Sequence, residues 1–117
     1  MKIYLATPVN GRKEKTLEQK QKAAYQRIRE MEEYVSKRYP DAEMYSSFRI
    51  VGLALGQKLE ESEVMGACVR MVMECDMIVL DDGWENSSGC TVERFVAMQY
   101  GKRVLTMNYF KMKDRIG

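Results

Sequence analysis

Acids, glycines and hydroxyls crowd into residues 81–93, DDGWENSSGCTVE. Such a set can carry chemistry. Asp81, Asp82 and Glu93 are candidates for nucleophile, acid or orienting group, and Ser87, Ser88 and Gly89 for seating a phosphate or carboxylate on backbone amides. The chain has no histidine, which removes Ser-His-Asp, Cys-His and His-ligated metal chemistry together. Catalysis at neutral pH is left to carboxylates, Tyr, Lys or Cys. The cysteines, Cys68, Cys75 and Cys90, form no metal-ligand pair, and their odd number argues against a disulfide framework. No metal site is expected, and a reducing cytoplasm is the default.

These residues need a scaffold to hold them. Met77–Leu80 is apolar, β-branched at Ile78 and Val79, and too short for a helix; it reads as a buried strand ending at Asp81-Asp82-Gly83. Phe95, Val96 and Met98 then recur at helical spacing. They predict a helix from about Thr91 to Tyr100, with Glu93 in its first turn and Gly101 as its stop. Upstream, Lys2–Ala6 is a strand closed by Thr7-Pro8, followed by a loop, Val9–Lys15, with the turn pair Asn10-Gly11 and Arg12. Residues 16–38 predict a long helix, with Leu17, Ala24, Ile28, Met31 and Val35 inward and a solvated charged face. Thr16 is its cap, and Pro40-Asp41 lies beyond its end.

Ala42–Tyr45 is a second strand. Ser46–Glu60 has no clean period and holds either a short helix or a lid loop. Glu61–Glu74 is helical with Val64, Ala67, Cys68, Met71 and Val72 inward, Arg103–Thr106 is a strand, and the tail from Met107 to Gly117 is a short helix. Strands alternating with helices imply right-handed βαβ units. The expected fold is α/β: a flavodoxin-like or Rossmann-like three-layer sandwich with four or five mostly parallel strands, one domain over residues 1–117. The loops after the first strand and after Leu80 then open on one sheet edge, bringing Thr7, Asn10, Gly11 and Arg12 toward Asp81, Asp82, Ser87, Gly89 and Glu93. Ligands of open α/β sheets bind at that edge.

Each of these residues also has a purely structural reading. Ser88 or Thr91 can be a helix cap. Glu93 in a first turn is favoured by the helix dipole without doing chemistry. Asp81-Asp82 can be turn residues, and Asp76 a cap between helix and strand. Trp84 is either a stacking platform or a lid over the core. A net charge of +2 is too small to argue for a nucleic-acid polymer or an acidic membrane. The apolar runs are too short to span a bilayer, and the N-terminal residues lack a signal-peptide layout.

The loop Thr-Pro-Val-Asn-Gly-Arg after Lys-Ile-Tyr-Leu, together with Cys-Asp-Met-Ile-Val-Leu, Gly-Trp-Glu-Asn-Ser-Ser-Gly-Cys, a following Glu and Gly-Lys-Arg-Val, resembles the nucleoside 2-deoxyribosyltransferase superfamily. Within it, the chain is most similar to the small DUF4406 proteins of phages and bacteria, over roughly residues 2–12 and 64–106. The resemblance implies that Glu93 attacks the anomeric carbon of a deoxyribosyl group, with Tyr4 positioning it. It also implies a 5′-phosphate lying against Val9, Asn10, Gly11, Ser87 and Gly89. Hydrolase relatives carry an aspartate where this chain has Cys68, and Asp81 or Asp82 are the available substitutes. They carry an arginine where Asn10 stands, with Arg12 two residues on. A residue near the C-terminus completes a neighbouring subunit's site in relatives, which points to Asn108 and to a homodimer or higher homo-oligomer.

The expected function is cleavage or transfer at the N-glycosidic bond of a (deoxy)nucleoside or its 5′-monophosphate, a small-molecule partner, with no metal or organic cofactor. The alternatives are a non-catalytic nucleotide-binding or sequestering module, and a structural oligomerising domain.

Overall fold

The computed structural model of the protein describes residues 1–9, 13–49 and 61–116. Four strands, β1 (Lys2–Ala6), β2 (Glu43–Tyr45), β3 (Met77–Leu80) and β4 (Arg103–Thr106), form one sheet in the order β2-β1-β3-β4. Every pairing is parallel, with Tyr4 opposite Ile78 and Ile78 opposite Val104. The central strands β1 and β3 are apolar without alternation because both of their faces are covered. Order and direction are those of a doubly wound α/β sandwich.

Alternate strand residues supply two cores. Ile3, Leu5, Met77 and Val79 pack against helices α1 (Leu17–Arg38) and α4 (Met107–Ile116), through Ile28, Met31, Val35, Met107 and Phe110. Tyr4, Ala6, Ile78 and Leu80 pack on the opposite face against α2 (Glu61–Glu74) and α3 (Ser88–Gln99), through Cys68, Val72, Cys90 and Ala97. The strand period of two thus sends Tyr4 toward α2 and α3 and leaves its neighbours for α1.

Thr16 caps α1 in a reciprocal capping box with Gln19. Leu17, expected inward, is exposed: as the first helical residue it lies before the stripe begins to face the sheet. Gly101 ends α3 with φ +67°, a left-handed geometry that glycine adopts without strain. The undecided stretch Ser46–Glu60 lies outside the described residues from 50 onward. Among the described residues no helix is long and apolar enough to cross a membrane.

Candidate active site

Glu93 is a buried carboxylate on the α2–α3 face of the sheet. Helix α3 begins at Ser88, three residues before the expected start, because Ser87 is its cap: the Ser87 hydroxyl accepts from the Cys90 amide at 3.2 Å. Glu93 therefore lies in the second turn and not the first, and the helix dipole accounts for it less well than its surroundings do. It points inward at 6% exposure, and its Oε2 accepts a hydrogen bond from the Tyr4 hydroxyl across from β1. Burial pushes its pKa up to about 7, against the opposing effect of the Tyr4 hydrogen bond. Tyr4 is itself held well above its usual range, by burial first and then by the Glu93 charge. Among the described residues, no cation pairs with Glu93.

Two thiols border this pair. Cys68 on α2 packs in the same core cluster as Tyr4, and burial pushes its pKa up to about 11. Cys90 on α3 is pushed up to about 12, again by burial. Both are neutral thiols at any physiological pH, so Glu93 is the group in this cluster that titrates near neutrality.

Asp81 belongs to a different cluster. It continues the β1–β3 ladder through its amide, bonded to Ala6 O at 2.9 Å, and is 2% exposed. Four donors occupy its carboxylate: Arg27 Nε at 3.0 Å and Nη2 at 2.6 Å, Thr7 Oγ1 at 2.7 Å and the Asp82 amide at 2.8 Å. Burial raises its pKa, but the hydrogen bonds from Arg27 and Thr7 outweigh burial and leave it below the ordinary carboxylate value. Arg27 lies on α1, on the face expected to be solvated, and it ties α1, the end of β1 and the end of β3 together. Neither charge nor spacing distinguishes Arg27 from its neighbours in sequence. Only its position above the strand ends does.

Asp82 turns outward and pairs with Lys111 of α4 at 2.6 Å. Gly83, at φ +84°, then starts a short 3-10 turn, Trp84–Asn86, that carries the chain over to α3. Trp84 is half-buried against the α2–α3 core, with the Arg94 guanidinium 5.0 Å from its ring centre. Ser88 is exposed as the first residue of α3. Gly89 is half-buried, where an added Cβ would come 3.4 Å from Met65 Cε. The amides of Ser88 and Gly89 precede the first ladder bond, Thr91 to Ser87 O, so they have no acceptor within the helix.

The fold thus brings Tyr4 and Glu93 together, and Thr7 and Asp81 together, with Ser87, Ser88 and Gly89 at the start of the helix that carries Glu93. Val9 is half-buried after β1. Asn10, Gly11 and Arg12 lie outside the described residues. Asn108 is exposed in the first turn of α4. Among the described residues, no group of His, Cys, Asp and Glu side chains is arranged to hold a metal ion.

The parallel four-stranded sandwich has a counterpart among solved structures. The fold is similar to that of the "2-desoxiribosyltransferase from Leishmania mexicana", with a TM-score of 0.57 at 19% identity, over 90% of this chain and 62% of that one. The similarity is one of fold, and the chain spans only 62% of that relative's length. The chain belongs to the DUF4406 family, a domain of unknown function whose profile matches residues 1–106. No curated protein matches it.

Proposed function

We propose that this protein cleaves or transfers the N-glycosidic bond of a (deoxy)nucleoside or nucleoside 5′-monophosphate, with Glu93 as the nucleophile. The observation that carries this reading is the buried hydrogen bond between Tyr4 and Glu93. A carboxylate kept from water and from cations stays reactive toward an electron-poor carbon, and one donor fixes its rotamer. A glycosidic transition state resembles an oxocarbenium ion, which an adjacent anion stabilises before capturing it.

In the reaction, a Glu93 oxygen bonds to C1′ as the C1′–N bond breaks, and the electron pair leaves on the base nitrogen, which takes a proton. Water or the nitrogen of a second base then attacks C1′, releases the Glu93 carboxylate and gives up a proton. Tyr4 positions the nucleophile. Asp81, ionised and fully engaged, acts as an orienting group that holds Thr7 at the end of β1, not as the acid. Asp82, turned outward onto Lys111 on the α4 flank, is not given that role either, and solvent supplies the proton. The free amides of Ser88 and Gly89, with Ser87, Val9 and the loop of Asn10, Gly11 and Arg12, hold the 5′-phosphate. Trp84 walls the base side. The same reading includes a homodimer or higher homo-oligomer, with Asn108 reaching a neighbour's site, in the cytoplasm.

One observation favours a second reading, a nucleotide-binding module without turnover. Cys68, a neutral thiol, stands beside Tyr4 and Glu93 where hydrolase relatives carry an aspartate, and Asp81 is too firmly held to replace it. Incubating the protein and Glu93→Gln with a panel of deoxynucleosides and their 5′-monophosphates, with free base followed by chromatography, separates the two. Base release lost in Glu93→Gln is the expected result. Base release that persists in the variant removes Glu93 as nucleophile. Thermal stabilisation by a nucleotide without base release selects the binding module.

A further inference from the structure

Because every strand runs the same way, helices α1 and α4 run back along the sheet and end at the edge where the strands begin. That edge is the opposite one from Asp81. There Arg103, the first residue of β4, donates from Nη1 to the Tyr39 hydroxyl at 3.2 Å, and the Tyr39 ring meets Phe110 edge-on. A cleft of about 270 Å³ lies between the two helix ends, lined by Tyr34, Lys37 and Arg38 of α1 and by Phe110, Lys113 and Asp114 of α4. Its floor is the buried Phe110, on the sheet face that does not carry Tyr4 and Glu93.

The lining is unbalanced in charge. Lys37, Arg38 and Lys113 face the single carboxylate of Asp114, three cations to one anion, which leaves two positive charges uncompensated. Lys37 reaches Asp114 at 3.2 Å, but both side chains are well exposed and water weakens the pair. Arg38 Cζ and Lys113 Nζ each lie 5.7 Å from the centre of the Tyr109 ring, and among the described residues neither has a carboxylate partner. Cations in the last turn of a helix complement its dipole. That explains a basic bias along each helix separately, but not two unpaired cations drawn to one ring, where an anion would relieve their repulsion.

We infer that this cleft binds a phosphate monoester, with Lys37, Arg38 and Lys113 on the phosphate and Tyr34 against the apolar part of the molecule. A monoester carries roughly −1.5 to −2 charge at neutral pH, which matches the two uncompensated charges. The Arg38 fork can grip two phosphate oxygens, and the lysines add point charges. Lys37 Nζ lies 5.3 Å from the centre of the Tyr34 ring, so charge and apolar wall stand side by side. The volume is near the lower end of small-molecule sites, about 300 Å³. A nucleic-acid polymer would need a basic track, for which a net charge of +2 leaves little. This cleft is separate from Glu93, so the proposed reaction and the second site stand or fall independently.

Titration of the isotope-labelled whole chain with phenyl phosphate, followed by nuclear magnetic resonance at an ionic strength held constant with sodium chloride, tests this and locates the binding. Saturable shifts of the Arg38, Lys113 and Asp114 amides are the expected result. The dissociation constant should rise about tenfold or more in a double variant, Arg38→Gln with Lys113→Gln, that loses two charge-assisted contacts. Far-UV circular dichroism confirms that the variant is folded. Binding unchanged in the folded variant overturns the inference, as do shifts that stay linear into tens of millimolar. Shifts confined to Ser88 and Gly89 overturn it too, and place the phosphate at the candidate active site alone. Inorganic phosphate should bind more weakly than phenyl phosphate. Equal affinity would overturn the monoester and leave a site for phosphate itself.

Discussion

Arg27 and Asp81 form a two-pronged ion pair, Nε to Oδ2 and Nη2 to Oδ1, that fastens the long helix α1 to the end of the central strand β3. Asp81 is almost wholly buried and Arg27 a quarter exposed. Removing the cation would strand a charge that the interior cannot solvate.

Arg27→Ala should therefore destabilise the protein by about 3 kcal/mol, at the low end for a broken buried pair because Arg27 retains some solvent. In thermal unfolding this is a fall in Tm of roughly 10 °C for a domain of this size. Asp81→Asn in the Arg27→Ala background should cost much less than it does alone, since no charge is then left to strand. Additive losses would mean the pair is not coupled.

Glu93 ties stability to pH with a definite sign. Its pKa is about 7 in the folded chain against an ordinary value of 4.5. Between those values the native state holds a proton that the unfolded chain releases, so stability falls as pH rises through that window. The loss at pH 8 is on the order of 3 kcal/mol. Glu93→Gln cannot ionise, and it should be more stable than wild type at pH 8 by about that amount and no more stable at pH 4. Urea unfolding at the two pH values measures the difference.

Base release, in contrast, requires the ionised form. kcat/KM should rise about tenfold per pH unit below 7 and level off above it. Tyr4→Phe removes the donor that holds the pKa of Glu93 down, so its limb should move to higher pH as well as lowering the plateau. A profile that keeps its wild-type position in Tyr4→Phe would separate the tyrosine from the nucleophile.

Ser87→Ala withdraws the cap from α3 and should cost about 1 kcal/mol in unfolding free energy. If the α3 amides seat a 5′-phosphate, KM should increase for a nucleoside monophosphate and stay unchanged for the free nucleoside. Equal increases for both would place the phosphate elsewhere.

Much of this arrangement could be read along the chain. Met77–Leu80 announces a buried central strand because both its faces are apolar, and Thr16 and Gly101 mark helix ends through cap chemistry that is local in sequence. The nearness of Tyr4 to Glu93 could be reached only through the family resemblance, since 89 residues separate them. The start of α3 was misplaced because Ser87, Ser88 and Thr91 all have a hydroxyl able to cap, and the choice among them depends on the turn at Gly83. Arg27 was lost among the many charges of α1. An ion pair 54 residues apart leaves no periodic trace, and its buried end, Asp81, looks like a turn residue.

Asp81 and Asp82 are moored to α1 and α4, on one flank of the sheet, whereas Ser87 is seated on α3, on the other. The chain crosses between them at Gly83, whose left-handed backbone lets two firmly fixed segments meet at a sharp angle. A side chain at that position would be cheap in space, since nothing crowds it, yet costly in torsion. Substitution at Gly83 is thus governed by a dihedral angle and not by room.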